Sequence, residues 1–212
     1  MDSPVTDPRL VTAVAAVLAY LVGSLSFAVI VSRLFGLSDP RTYGSGNPGA
    51  TNVLRSGHKG AAILTLLFDA LKGYVPVAIA QRMGLDQTAV TLVGLAAFLG
   101  HLWPIFFRFE GGKGVATAAG VLLAFQPALG GLVLAVWLLM AVVFRYSSLA
   151  ALTASLAAPV IQWHLMGMGA MTIGVAIMSA LLIWRHAANI RKLLAGQESK
   201  LGQKAAPTPP QP

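Results

Sequence analysis

The chain contains no cysteine, and only seven of its 212 residues are acidic: Asp2, Asp7, Asp39, Asp69, Asp86, Glu110 and Glu198. Without cysteine there are no disulfides, no thiol nucleophile and no cysteine-ligated metal, although the redox compartment stays open. Charge of either sign is scarce. Asp, Glu, Lys and Arg make up 10% of the chain, against about 25% in a soluble globular domain. Long polar stretches are missing too, apart from the region 33–59 and the tail. No separate soluble domain is therefore expected beside the apolar part within this length. No internal repeat at a fixed period is visible, which weighs against the repeat-built transporters.

Apolar sequence fills the remainder. Mean hydropathy is +0.73 and 56% of residues are hydrophobic. Seven apolar segments can be marked: Leu10–Val31, Ala61–Ala80, Ala89–Phe107, Val115–Phe125, Leu129–Phe144, Leu149–Leu165 and Ala170–Trp184. Several approach the ~17–20 apolar residues that cross a hydrocarbon core of about 30 Å. The expected fold is an all-α integral membrane protein with about seven transmembrane helices, some short or broken. The first segment is read as a span and not as a cleaved signal, because its flank is acidic and its apolar run is long. The fourth is too short for an upright crossing. It is expected to borrow Gly112–Gly114 and Gln126, or to be a broken or re-entrant helix. Segments five and seven are also short, which suggests a thin or hourglass-shaped bundle. Gly94, Gly120, Gly130, Gly131 and Gly174 would let helices approach closely in lipid. Pro76, Pro104, Pro127 and Pro159 are expected at kinks or ends. One domain, 1–200, is expected, followed by a disordered Pro-rich tail, 201–212.

The formal net charge is +8. In a membrane protein the common cause is an excess of Lys and Arg in cytoplasmic loops, so no nucleic-acid partner is expected. If the N-terminus is outside and every segment crosses, the inner loops are 32–60, 108–114, 145–148 and 185–212. They then hold every one of the 15 basic residues except Arg9, Lys72 and Arg82. If the fourth segment did not cross, Arg145 and the basic tail would move outside, so seven crossings fit better.

Three polar clusters fall on this inner face. The first is Gly44-Ser45-Gly46-Asn47-Pro48-Gly49-Ala50-Thr51-Asn52-Val53-Leu54-Arg55. Glycines let backbone N–H groups approach a ligand, and the short polar side chains with Arg55 can cradle an anion. The plainer alternative is a turn whose Asn47 or Thr51 caps a helix. The second cluster is Gly100-His101-Leu102-Trp103-Pro104 followed by Phe109-Glu110-Gly111-Gly112-Lys113-Gly114-Val115-Ala116-Thr117. It is not the phosphate loop of nucleotide hydrolases, which would need Gly in place of Phe107 and Ser or Thr in place of Gly114. A phosphate held by glycine amides and the Lys113 ammonium remains the functional reading. A positive-inside lysine in a tight turn is the structural one, and a packed histidine is the corresponding reading of His101.

The third cluster is Trp184-Arg185-His186-Ala187-Ala188-Asn189-Ile190-Arg191-Lys192-Leu193-Leu194-Ala195-Gly196-Gln197-Glu198. His186 and Asn189, three apart on a helix, share a face. Ile190, Leu193 and Leu194 form an apolar stripe suited to an interfacial helix. Arg185, Arg191 and Lys192 also read as the routine basic cluster after a last span. Glu198 is expected to make a structural ion pair. Within the membrane, Asp69 and Lys72 are three apart. Each alone would cost ~2.5–3.5 kcal/mol at the bilayer centre, so they are expected to pair.

In order and spacing these clusters resemble the three motifs of the bacterial acyl-phosphate:glycerol-3-phosphate acyltransferases (PlsY), at 44–55, 100–117 and 185–198. The chain departs from that pattern at Glu110, where a basic residue is usual, and at Ala187-Ala188, where charged residues are common. The resemblance implies seven helices, an outer N-terminus, a cytoplasmic C-terminus and a site facing the cytoplasm of a bacterial inner membrane. It implies acyl transfer from acyl phosphate to the 1-hydroxyl of glycerol-3-phosphate, with no metal or other cofactor and no covalent enzyme intermediate. Lysophosphatidic acid and phosphate would be the products, and the oligomeric state is open. By motif position, Ser45, Arg55, Lys113, His186 and Asn189 would be catalytic. Gly44, Gly46, Asn47, Gly49, Thr51, Asn52, His101, Gly111, Gly112 and Gly114 would bind substrate phosphate, and Glu198 would be structural. The soluble-type acyltransferases carry His followed five positions later by Asp; the positions five after the four histidines hold Ile63, Phe106, Gly169 and Arg191. An anion or organophosphate transporter, and a non-catalytic scaffold subunit, are the competing readings.

Overall fold

The computed structural model describes residues 7–203. Its elements are α1 (Pro8–Gly23), α2 (Phe27–Leu34), α3 (Ala50–Leu54), α4 (Lys59–Arg82), α5 (Gln87–Leu102), a 3-10 turn (Ile105–Phe107), α6 (Val115–Phe125), α7 (Pro127–Phe144), α8 (Ser147–Met166), α9 (Ala170–Arg185) and α10 (Ala187–Leu194). From position 204 on, the expected tail lies outside the described residues. Leu201, at the start of the region assigned to that tail, donates its N–H to the Arg145 carbonyl at 2.7 Å.

Among the described residues, four helices are long and apolar enough to cross a bilayer: α4, α5 with its 3-10 extension, α7 and α8. Two further candidates are bent pairs, α1 with α2 at 41° and α9 with α10 at 58°. The expected single span Leu10–Val31 is thus interrupted at Ser24-Leu25-Ser26. The cause is local. Serine side chains compete with the helical ladder, and the Ser24 hydroxyl donates back to the Tyr20 carbonyl at 2.8 Å. The break leaves the Leu25 carbonyl without a helical donor, and the Lys72 ammonium fills that role at 2.6 Å. Lys72 also lies 2.7 Å from Asp69, completing the expected intramembrane pair.

The fourth apolar segment forms an 11-residue helix, α6, without borrowing its neighbours. Gly114, at φ 84°, caps one end, and extended Gln126 separates the other from α7. At 1.5 Å per residue α6 is about 16 Å long, roughly half a hydrocarbon core. At least one of its ends therefore sits inside the bundle, so the loop it follows can be recessed. Pro127 starts α7, whereas Pro76 and Pro159 lie inside continuous helices and end neither.

Close helix approach explains several of the small residues but not Gly131, which has open space beside it. A Cβ on Gly120 would run into the Ala70 carbonyl, and one on Gly73 into that of Thr117, so α4 and α6 touch backbone to backbone. Gly23 and Gly100 make the same kind of contact between α1 and α5. Inside, Phe98, Val121, Leu129 and Val175 are buried, while Leu138, Leu139, Val142 and Val143 of α7 are exposed. Apolar residues on both faces are what a bundle bathed in lipid requires.

Gly120→Leu should separate α4 from α6 and lower Tm by at least ~5 °C, whereas Gly131→Leu, with open space beside it, should shift Tm by less than ~2 °C. Thermal unfolding of both variants in detergent checks this, and equal shifts would contradict the packing described.

Candidate active site

Asn52 organises the loop of the first cluster. It is 1% exposed. Its Nδ2 donates to the carbonyls of Pro40 (2.6 Å) and Tyr43 (3.1 Å), and its Oδ1 accepts the N–H of Ser45 (3.0 Å). Those bonds occupy the amide, so Asn52 shapes the loop whose amides the motif reading assigns to phosphate. Gly44 turns the chain at φ 60°, where a Cβ would strike Asn52 Oδ1. Ser45 and Gly46 are exposed on the resulting turn. Neither Asn47 nor Thr51 caps α3; the cap position is Gly49, with extended backbone. Thr51 Oγ1 instead lies 3.1 Å from Ser147 Oγ, and Arg55 donates to Ser199 Oγ at 2.5 Å. Upstream, Arg41 pairs with Asp39 at 2.7 Å and reaches Glu110 at 3.5 Å. Its guanidinium holds the Asp39 carboxyl below the usual range. The acidic departure at 110 thus faces a cation of the first loop.

The second loop packs tightly against this one. Gly112 donates its N–H to the His101 carbonyl at 3.1 Å. A Cβ there would meet the His101 ring and come within 2.9 Å of the Pro48 carbonyl. Gly111 is hemmed in by the carbonyls of His101 and Leu102. The two glycines are therefore required by close approach. Arg185 clamps the loop from the far end of the chain, donating to the carbonyls of Gly111 (2.7 Å) and Gly112 (3.2 Å). The His101 ring is buried, with Nδ1 3.1 Å from Thr117 Oγ1. It lies behind the loop, against Gly112, and supports it.

The third cluster meets the second through side chains. The Lys113 ammonium donates to Asn189 Oδ1. Asn189 Nδ2 in turn donates to Glu198 Oε1 at 2.8 Å, and Ser148 Oγ donates to the same oxygen at 2.7 Å. Glu198, expected in an ion pair, is held by two neutral donors. His186 is buried at the joint of α9 and α10, with Nδ1 2.8 Å from the Leu182 carbonyl. A carbonyl can only accept, so Nδ1 carries the hydrogen and Nε2 is an acceptor. Burial pushes the Lys113 ammonium down to about 8; Arg55, Lys192 and Arg185 push the same way, and Glu198 opposes them. Cations from three distant parts of the chain thus converge on one glycine-lined mouth. Such a site suits a phosphate anion, for which backbone amides and charge-assisted donors are the natural ligands.

Ser147, Ser148 and Ser199 carry no motif signal, and nothing in the sequence separates Arg185 from the routine basic residues after a last span.

The bundle and its mouth define a helical integral membrane protein built to hold anionic substrates. Residues 13–196 match the model of the glycerol-3-phosphate acyltransferase family. The chain belongs to that family. It is 61% identical over 201 residues to the glycerol-3-phosphate acyltransferase of Ralstonia nicotianae, covering 93% of this chain and 97% of that one. It is 59% identical over 195 residues to the enzyme of that description from Paraburkholderia phytofirmans, covering 90% and 91%. The crystal structure of PlsY (YgiH), an integral membrane glycerol 3-phosphate acyltransferase, in its glycerol 3-phosphate form superposes with a TM-score of 0.86. That comparison has 40% identity and covers 91% of this chain and 96% of the other. Its lysophosphatidic acid form gives a TM-score of 0.84 at 39% identity, covering 90% and 95%.

Only charged Lys113 attracts an anion, and that form is lost as pH rises through about 8. The kcat/KM profile, which reports the free enzyme, should therefore fall on its alkaline side with an inflection near that value. Glu198→Gln should move the inflection lower, because the carboxylate that favours the cation is gone. An unmoved or higher inflection would contradict the assignment.

Proposed function

We propose that this chain transfers a fatty acyl group from acyl phosphate to the 1-hydroxyl of glycerol-3-phosphate, at the cytoplasmic face of a bacterial inner membrane. The observation that carries the reading is the convergence of Lys113, Arg55 and Arg185 around the two glycine loops. Both substrates carry phosphate, and the apolar bundle beside the mouth suits an acyl chain in lipid. Acyl phosphate is a mixed anhydride with a good leaving group, so no enzyme nucleophile is needed. The hydroxyl oxygen forms a bond to the acyl carbon, the bond from that carbon to the phosphate oxygen breaks, and lysophosphatidic acid and phosphate leave.

Ser45, Arg55 and Lys113, with the amides of the glycine loops, bind phosphate and stabilise the developing charge. Asn47, Gly49 and Thr51 build the wall of the first loop. His186 accepts a hydrogen bond from the glycerol hydroxyl at Nε2, and Asn189 holds Lys113 in place. The proton passes to the departing phosphate. Glu198 fixes Asn189. The topology assigned is seven crossings: the four long helices, the two bent pairs and α6, with the N-terminus outside.

Purified protein in micelles, given acyl phosphate and glycerol-3-phosphate, should release phosphate only when both are present. A transporter would release none, and a scaffold subunit would show no substrate dependence. Arg55→Ala should lower kcat/KM by at least ~100-fold with normal expression; wild-type turnover would remove Arg55 from the site. Because the chain has no cysteine, single cysteines at Ser56 and Met83 report the topology. An impermeant maleimide should label the second in right-side-out vesicles and the first only in inverted ones, and the reverse pattern would overturn it.

A further inference from the structure

Asp69, Lys72 and His101 are buried together in the bundle, and the chemistry assigned above uses none of them directly. Mutual neutralisation would explain an Asp–Lys pair in a membrane. It does not explain their other contacts. Lys72 also donates to the Leu25 carbonyl, the group released where the first span breaks, and its ammonium lies 5.8 Å from the Phe27 ring at the start of α2. Asp69 Oδ1 lies 3.7 Å from His101 Nδ1, the nitrogen that also faces Thr117. On the other side of His101 is the glycine loop: its carbonyl holds the Gly112 N–H, and its ring fills the space a Gly112 side chain would need. The contacts run from the helix break through Lys72 to Asp69, across 3.7 Å to the His101 ring, and on to the residue preceding Lys113.

We propose that Asp69 and Lys72 are positioning residues for the reaction: they lock His101 in place, and His101 sets where the Gly111–Lys113 loop presents its amides and ammonium to phosphate. The inference rests on the phosphate-loop reading of the proposed function. A loop built from two adjacent glycines has little stiffness of its own, so its geometry must come from what it leans on. Preorganised donors lose much of their value when displaced by a fraction of an ångström. Two paired charges in a low-dielectric interior hold each other in place as a brace, because separating them exposes each to the cost of burial. Removing one member leaves an uncompensated charge, whereas removing both restores neutrality.

That asymmetry separates positioning from mere structural support. Inorganic phosphate, used as an inhibitor of the purified enzyme, probes the loop, and Tm reports folding. Asp69→Asn should raise the inhibition constant for phosphate about tenfold and lower Tm. The paired variant Asp69→Leu with Lys72→Met should recover Tm towards the wild-type value while the constant stays raised. Lys113→Ala serves as reference and should raise the constant at least as much. If Lys113→Ala leaves it unchanged, the phosphate-loop reading itself fails. If Lys113→Ala raises it but Asp69→Asn and the paired variant leave it at the wild-type value, the brace is refuted while the loop stands. A constant that returns to the wild-type value together with Tm in the paired variant makes the brace merely structural and overturns the proposal.

Discussion

The Lys113 ammonium donates to a neutral amide oxygen, that of Asn189, and only through that amide reaches the Glu198 carboxylate. The arrangement keeps the ammonium hydrogen-bonded without cancelling its charge. A direct Lys113–Glu198 pair would cancel the charge and leave little attraction for a phosphate. An unpartnered ammonium at this depth would shed its proton. The amide between them meets both demands, and Glu198 fixes its orientation: with Nδ2 donating to a carboxylate, Oδ1 must face the lysine. Ser148 holds the carboxylate in turn. Three stretches of chain, 111–114, 186–189 and 198–199, are thereby made into one wall, and Arg55 ties the first loop to it through Ser199.

The rest of the fold serves to bring these stretches together. The short α6 follows directly from the glycine loop and packs backbone to backbone against α4. Its shortness gives that loop room to lie inside the bundle, where donors face less water and act more strongly. The break between α1 and α2, costly in lipid because it frees a carbonyl, is sealed by Lys72. That residue also faces Asp69, so the same pair closes the defect and stands behind His101. At the other end of the chain, α9 bends into α10 at His186 and directs Arg185 and Asn189 onto the loop.

Much of this was legible in the sequence because the signals are local or additive. Apolar runs marked the helices to within a few residues, and the three clusters stood out because glycine, asparagine and cations are rare in lipid-facing segments. The pairing of Asp69 with Lys72 followed from helical spacing. What escaped was set by tertiary contact. The break at Ser24–Ser26 lies in a run that is apolar throughout, and its stabilising partner is 47 residues away. The bonds that Asn52 makes within its own loop, and the Thr117 contact that holds the His101 ring, join residues whose nearness no spacing reveals. Arg185 looked routine because a basic residue after a last span needs no other reason. The partners of Glu198 are neutral, and charge counting does not detect neutral donors. Pro76 and Pro159 do not end their helices, since neighbouring groups in a bundle can take up the freed carbonyls.

Lys113 and Asn189 act as one unit, and a double-mutant cycle on kcat/KM is the decisive check. If Asn189 exists to hold the ammonium in place, removing it after Lys113 is already gone should cost little. Lys113→Ala/Asn189→Ala should then be no more than about threefold worse than Lys113→Ala alone, although each single change is severe. Losses that simply multiply would show two independent residues and contradict it.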